Sequence, residues 1–204
     1  MKNNNTKLEI LEVALDLFSS RGYEATSMSQ IAEKLNIRKA SLYAHYESKQ
    51  AILDALIVTL TKQYDDNSLF SNSDYSKVQS ADEFIEVVKK QVNYIVNSPQ
   101  MKKVRKLFTI EQFRNDTFAK LQNKYSYDNV LNYGVNLCKY LIENDVFIEA
   151  DPLVISAELM FPISMWISLC DREPHKYNEV MDLIDKHIKQ FYKVYSKEHM
   201  NEKI

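Results

Sequence analysis

The stretch SMSQIAEKLNIRKASLYAHY, residues 27–46, decides how the first part of this chain folds. Ser27 and Gln30 form a capping-box pattern, in which each side chain satisfies a backbone donor at a helix start. The helix that follows has one apolar face, made by Met28, Ile31, Ala32 and Leu35. Asn36 tolerates a positive φ and therefore predicts the end of this helix and a three-residue turn. A second short helix is predicted from about Lys39 to Tyr46.

Helices of two turns need tertiary packing, because helix nucleation is costly. The partner is a longer helix that is predicted to start with Thr6 as its N-cap and Glu9 at N3, and to end at Gly22. Its apolar face repeats at helical spacing through Leu11, Ala14, Leu15 and Phe18. A fourth helix is predicted to follow Ser48.

One side of the helix at Lys39 to Tyr46 is apolar and the other is not. Ile37, Leu42 and Tyr46 supply the packing side. The residues left largely outward are Lys39, Ser41, Tyr43, Ala44 and His45. Between Asn36 and Lys49, the residues Arg38, Lys39, His45 and Lys49 stand against the single Glu47 and make a small basic spot, although the whole chain has a net charge of -2.

The whole chain has the composition of an all-α protein. It contains only two Gly and four Pro among 204 residues, and these are the residues that turns use most. We expect about nine helices in two domains. An N-terminal domain covers residues 1–64, a linker rich in Asp, Asn and Ser covers 65–79, and a second helical domain covers 80–204.

The second domain has clear helix starts. Ser80 and Glu83 form another capping box, and Asp151 before Pro152 is an N-cap with proline at N1. The apolar helix from Pro152 to about Cys170 contains Pro162, which is expected to bend it.

Several function classes are not indicated. The N-terminus lacks the apolar core of a signal peptide and no apolar run approaches the roughly 20 residues of a membrane span, so a cytoplasmic location is expected. Cys138 and Cys170 are interpreted as small core residues. No nucleophile-base pattern, Gly-rich phosphate loop or metal-ligand spacing occurs, so we predict no enzyme, metal site or cofactor.

About fifty residues carry a resemblance to a known family. The run from Ile31 to Tyr46, followed by Ser48 and Lys49, closely resembles the TetR-family signature, as do Phe18, Gly22, Tyr23 and Thr26. The resemblance implies an N-terminal three-helix helix-turn-helix domain that binds DNA and a C-terminal helical domain for effector binding and dimerisation. Where the family often has Gly-Val-Ser, this chain has Asn36-Ile37-Arg38, and Arg38 forfeits a serine N-cap.

The resemblance also assigns contacts. Lys39 and Ser41 are expected to contact bases or phosphates, and Tyr43, His45 and Lys49 to bind the phosphate backbone. Arg38 suits a guanine or a phosphate, and Ala40 and Ala44 allow close approach or touch a thymine methyl. Thr26 and Ser27 add an anion contact through their backbone donors.

Two further sets of residues are predicted in the C-terminal domain. Residues that line an effector pocket, or alternatively only pack the core, are Tyr94, Phe108, Phe113, Tyr127, Tyr133, Met160, Met165 and Trp166. The last two long helices carry more apolar residues than packing against one partner would cover, so we assign them to a homodimer interface. The predicted interface residues are Met160, Phe161, Trp166, Ile184, Ile188 and Phe191.

These features predict a transcription regulator. We expect a homodimeric repressor that binds a palindromic operator in double-stranded DNA and is released by a small apolar or aromatic effector. The alternative is a helical interaction or scaffold protein that has the same fold but no specific operator binding.

Overall fold

The computed structural model describes residues 2–67, 75 and 78–198. These residues are almost entirely helical, which confirms the all-α prediction, and apart from an isolated bridge between Phe147 and Ser196 they contain no strand. The α-helices are α1 (Lys2–Arg21), α2 (Met28–Lys34), α3 (Lys39–His45), α4 (Lys49–Asn67), α5 (Ala81–Asn97), α6 (Pro99–Glu111), α7 (Asp116–Asn123), α8 (Asn129–Glu143), α9 (Pro152–Arg172) and α10 (Tyr177–Tyr195). A π-helical turn, Lys124–Asp128, joins α7 to α8 without a break, and a 3-10 turn, Pro174–Lys176, precedes α10.

Most predicted helix ends are confirmed. Ser27 and Ser80 each form the complete capping box with Gln30 and Glu83. The Asp151 side chain accepts from the amide of Leu153, with Pro152 at N1 of α9. Gly22 ends α1 with a φ of 88°, in the region where glycine is favoured.

The start of α1 differs from the prediction. The helix begins at Lys2 and runs through Thr6, so the predicted N-cap is inside the helix. Glu9 accepts a hydrogen bond from Asn5 Nδ2 at 2.9 Å, one turn earlier. This pair at i, i+4 on an exposed face supports the first part of the helix.

The chain divides into two compact units, of which the first combines residues 1–68 with 99–122. Its core contains the predicted face of α1 together with Leu42 of α3. The segment 99–122 adds further buried side chains, namely Val104, Leu107, Phe108 and Phe118. The predicted boundary placed this segment in the second domain, since sequence order alone does not show that α6 packs on α1.

The second unit combines residues 69–98 with 123–204. Its core is built from α5, α8, α9 and α10, and three aromatic rings, Phe84, Phe147 and Phe191, meet in it at centroid distances of 5.6–6.0 Å. The predicted linker 65–79 lies mostly outside the described residues, although its first three residues extend α4.

Helix α9 corrects the expectation about apolar runs. It is long and apolar enough to cross a bilayer by length and composition, with a mean hydropathy of 1.8. In the fold, however, Ile155, Leu159, Ile163 and Ile167 of this helix belong to the core of the second unit. Packing inside the unit therefore accounts for one face of this apolar helix.

Candidate nucleic-acid interface

The predicted turn between α2 and α3 is present. Asn36 has a φ of 53°, its amide donates to Glu33 O at 2.9 Å, and the amide of Ile37 donates to Ala32 O at 3.0 Å. Asn36 takes the position where a glycine is often needed, because its short polar side chain tolerates left-handed backbone. Helix α3 therefore leaves α2 through a tight, hydrogen-bonded turn.

Helix α3 presents its polar side to solvent. Leu42 is fully buried beneath it, while Tyr43 is 50% exposed. The other exposed predicted contact residues are Arg38, Lys39, Ala40, Ser41 and Ala44, and His45 is half-buried. Neither Arg38 nor Lys39 has a side-chain hydrogen bond or ion pair with any residue that the structure describes. This face therefore offers two cations and a phenol that the fold itself does not use.

Arg38 occupies the N-cap of α3 without capping it. Its backbone is extended, with φ -70° and ψ 145°, and no side-chain cap hydrogen bond forms. The predicted loss of the serine cap is thus confirmed. The exposed Arg38 therefore stands at the N-terminal end of α3.

Two of the predicted contact residues, Thr26 and Ser27, lie in the loop that precedes α2. The amide of Thr26 donates to Tyr23 O at 3.2 Å, and that of Ser27 donates to Gln30 Oε1 at 2.8 Å. The Thr26 side chain is buried and its hydroxyl donates to Gly22 O at 2.9 Å. Both amides have acceptors within the protein, and the anion contact through them stays a prediction.

Lys49 also has contacts within the protein. Its ammonium donates to Tyr23 O at 2.8 Å and lies 4.1 Å from the centre of the Tyr23 ring, with Glu24 Oε2 at 4.0 Å. A lysine held by a carbonyl, an aromatic face and a carboxylate is not a free phosphate ligand. These contacts fix the start of α4 against the loop after α1.

Several contacts of that loop involve Tyr23, which was predicted only as part of the family resemblance and not as a site residue. Its hydroxyl donates to Gln50 Oε1 at 2.9 Å, and its ring packs edge-on against Phe18. Burial raises the pKa of Tyr23, and the neighbouring carboxylates of Glu24, Asp54 and Glu111 raise it further. The phenol therefore stays protonated and keeps its donor role.

The tertiary structure changes the local charge. Residues 1–68 carry 8 Lys and Arg against 9 Asp and Glu, whereas residues 99–122 carry 6 against 2. The first unit therefore has a net charge of +3, made of 14 basic against 11 acidic residues, and the remaining unit has 12 against 17, or -5. The basic character of the unit that contains α3 comes from α6 and its flanks.

The predicted effector residues do not form one group. Phe108 packs against Phe118 in the core of the first unit, and Phe113 is 90% exposed. In the second unit Tyr133 and Met160 are buried, whereas Tyr94, Tyr127 and Met165 are exposed and Trp166 is half-buried. Since Phe108 is a core residue and Phe113 is covered by almost nothing, the structure gives no support for placing these two in an effector pocket.

The predicted dimer interface is corrected at three positions. Ile184, Ile188 and Phe191 are buried within the single chain, with Ile188 at 0% exposure, so they offer no surface to a partner. Met160 is buried as well, and Phe161 and Trp166 are half-buried. Helix α10 also has an outward stripe of Leu183, His187 and Val194, which was not predicted as a separate face.

Comparisons with known proteins agree with this geometry. The family model described as "Bacterial regulatory proteins, tetR family" matches residues 10–56, which contain most of α1, all of α2 and α3, and the start of α4. Over 48 residues the chain is 46% identical to the Biofilm operon icaADBC HTH-type negative transcriptional regulator IcaR of Staphylococcus aureus, covering 24% of this chain and 26% of that protein. The Staphylococcus epidermidis IcaR is 38% identical over 69 residues, 30% of this chain and 37% of that one. The chain thus aligns with about a quarter to a third of the length of these curated relatives.

Solved structures are similar over nearly the whole chain. A putative TetR-family transcriptional regulator from Mesorhizobium loti has a TM-score of 0.68 at 18% identity, covering 96% of this chain and 99% of that one. A putative transcriptional regulator from Saccharomonospora viridis, solved in complex with choline, has a TM-score of 0.68 at 19% identity, with 92% and 95% covered. The SmeT-Triclosan complex has a TM-score of 0.65 at 18% identity, with 95% and 92% covered. At this identity the likeness concerns the fold.

A capped α2, a left-handed turn at Asn36 and an exposed α3 define a helix-turn-helix protein with an additional helical domain. Residues 10–56 carry the signature of the tetR family of bacterial regulatory proteins, and nearly the whole chain shares the fold of solved TetR-family regulators.

Proposed function

We propose that this protein is a homodimeric transcriptional repressor that binds operator DNA through α3 and is released by a small apolar or aromatic molecule. The observation that carries the DNA part is the outer face of α3, where Arg38, Lys39, Ser41 and Tyr43 are exposed above a buried Leu42. A rigid helix with free cations on one face suits the major groove, which is about 12 Å wide.

The contacts divide by chemistry. Lys39 and Ser41 lie in the first turn of α3 and contact base edges or phosphates, while Tyr43 and His45 bind the phosphate backbone. Arg38, at the helix end, suits the bidentate acceptor pair of guanine or a phosphate. The small side chains of Ala40 and Ala44 let the helix backbone approach and meet a thymine methyl. Lys49 acts indirectly, through the loop that it holds.

Dimerisation is proposed through the outward stripes of α9 and α10. On α9 the exposed apolar residues Val154 and Met165 share a side with the half-buried Phe161, and on α10 Leu183 and Val194 are exposed. The Trp166 ring contacts the His187 ring edge-on at 5.2 Å, so the two stripes adjoin. Burying an apolar face of this kind is what a stable dimer requires, at about 800 Å² per partner. A two-fold dimer matches a palindromic operator.

The dimer is tested by molar mass in solution. Met165 is 64% exposed, so Met165→Asp leaves the core intact and is expected to shift the mass towards monomer. The matched control is Leu8→Asp, at an exposed apolar position of α1 in the other unit, which is expected to leave the mass unchanged. Equal masses for both variants and the wild type would contradict this interface.

The effector is proposed to be small and apolar or aromatic. Among the solved neighbours, one is a complex with triclosan, an aromatic molecule, and another is a complex with choline, a small organic cation. In this chain the second unit supplies the aromatic and Met residues, of which Tyr133 and Met160 are buried among α5, α8, α9 and α10. A ligand releases DNA only if it binds the free conformation more tightly than the DNA-bound one.

The decisive experiment is selection of DNA from a random duplex pool by the wild-type protein, followed by footprinting. We expect protection of a palindrome with half-sites about one helical turn, or a multiple of it, apart. Loss of both Lys39 and Tyr43 in K39A/Y43A is expected to weaken binding by about thirtyfold or more, since each contact contributes about 1–3 kcal/mol. The matched control is Lys90→Ala, an exposed lysine of α5. If no sequence is enriched at low or high salt, the protein is the alternative helical scaffold without operator binding.

A further inference from the structure

Glu111, the last residue of α6, has an unusual environment. Its side chain is only 2% exposed, in the core of the first unit. Its Oε1 accepts a hydrogen bond from the backbone amide of Tyr23 at 2.8 Å, across 88 residues of sequence. A buried carboxylate is expensive to desolvate, and an apolar side chain of similar size would fill the same space at lower cost. The hydrophobic packing of α6 on α1 therefore does not explain this residue.

The loop that Glu111 contacts has a glycine, Gly22, at the position beside the carboxylate. Gly22 has a φ of 88°, and a Cβ at this position would lie 3.2 Å from Glu111 Oε1. The glycine thus provides both the left-handed turn and the room that lets a carboxylate reach the next amide. The amide of Gly22 continues the helical pattern by donating to Phe18 O, so the amide of Tyr23 is the first one that needs a partner outside α1.

From Tyr23 the contacts spread to the helices that carry α3. The Tyr23 carbonyl accepts from Lys49 Nζ at 2.8 Å and from the amide of Thr26 at 3.2 Å. Thr26 is the residue before the N-cap of α2, and its hydroxyl donates to Gly22 O. One side of the Gly22–Tyr23 turn is thus held by α6, and the other side by the starts of α2 and α4.

We infer that Glu111 is a positioning residue for DNA recognition: its carboxylate fixes the Gly22–Tyr23 turn and thereby the orientation in which α2 and α4 hold α3. The inference rests on the proposed function, because it assigns to α6 a part in the operator affinity of α3. Glu111 itself is buried and does not touch DNA.

The test uses the full-length protein and the duplex selected by the wild type. In Glu111→Met the side chain keeps its length and loses its acceptor, so the fold is expected to persist while the Tyr23 amide loses its partner. Operator affinity, measured well below the melting temperature where circular dichroism shows a folded protein, is expected to fall at least tenfold. Glu111→Gln keeps an acceptor oxygen at the same place and is expected to restore most of the affinity.

The matched control is Val104→Ala, on the buried face of the same helix. It removes packing on α6 without touching the turn, so it is expected to lower the melting temperature and leave the affinity of the folded protein within twofold. Hydrogen exchange gives a second readout: the Tyr23 amide is expected to exchange faster in E111M and at the wild-type rate in E111Q.

The outcomes separate the two hypotheses. If the wild type binds its duplex and E111M binds it equally well, or if V104A weakens binding as much as E111M, the positioning role is wrong while the proposed function stands. If the wild type selects no DNA, the proposed function fails and this inference fails with it.

Discussion

Gly134 offers the sharpest test of the packing in the second unit. It lies in the middle of α8, where α9 comes so close that a Cβ would be 2.2 Å from Ser156 Oγ and 2.8 Å from Met160 Cγ. Replacing Gly134 by alanine therefore forces α9 or its side chains to move. Helix propensity alone predicts the opposite result, because alanine favours a helix interior by about 1 kcal/mol over glycine.

The magnitude follows from what must move. The flexible Met160 side chain can shift, but Ser156 is fully buried and its hydroxyl donates to Leu131 O at 3.1 Å. Overpacking of this kind costs about 1–3 kcal/mol. Loss of the buried hydrogen bond adds about 1 kcal/mol. Against a propensity gain of about 1 kcal/mol, G134A is expected to lower the free energy of unfolding by about 2 kcal/mol. The melting temperature should then fall by about 4–8 °C.

Thermal and urea unfolding followed by circular dichroism measure this change. The control is the same change in an S156A protein, which lacks Ser156 Oγ, the atom nearest to the new Cβ. In that background G134A is expected to lower the free energy of unfolding by at least about 1 kcal/mol less. A G134A protein that melts at or above the wild-type temperature would refute the close α8–α9 approach.

Three further outcomes are expected. Arg38→Ser supplies the missing α3 N-cap and should raise the free energy of unfolding by about 1 kcal/mol in urea titrations, while operator affinity falls in a DNA titration; a gain in affinity would contradict the contact. Burial raises the pKa of the Cys138 thiol to about 12, so a thiol reagent at pH 8 should label it only after denaturation, and fast labelling of the native protein would contradict its burial. Hydrogen bonds from Lys189 and Lys89 hold the pKa of Asp185 below its ordinary value, so its contribution to stability is present above about pH 4 and is lost as the pH falls through the lowered pKa. In Asp185→Asn the free energy of unfolding should fall less steeply as the pH is lowered from 6 to 2. An unchanged pH dependence of the free energy of unfolding would count against the ion pair.

The helix-turn-helix was predictable because its signals are local. Capping boxes, the left-handed Asn36 and the spacing of apolar residues around Leu42 act within a few residues, and the structure repeats them nearly unchanged. The same holds for the exposed side of α3. By contrast, no local pattern indicates the contact of Lys49 with Tyr23, which lies 26 residues away in sequence, and the phosphate contact of Lys49 stays a prediction.

The dimer prediction was wrong at Ile184, Ile188 and Phe191 for a related reason. An apolar helix of a small domain has one stripe for the core and, when it meets a partner, a second stripe beside it. Helical periodicity shows that α10 has apolar residues at repeating positions but does not show which of them face inward. The positions of the neighbouring helices decide that.

The sequence by itself determined the class of fold, the turn at Asn36 and the polar face of α3, since each depends on contacts between near neighbours in the chain. Only the tertiary structure decided that the segment 99–122, with α6, joins the unit that contains α3, raises the net charge of that unit from -1 to +3 and places Glu111 against the Tyr23 amide. These features join residues about 90 positions apart, and no local pattern encodes which distant helix covers an apolar face. The α3 face could therefore be predicted from its own residues, whereas the contacts that hold it in place could not.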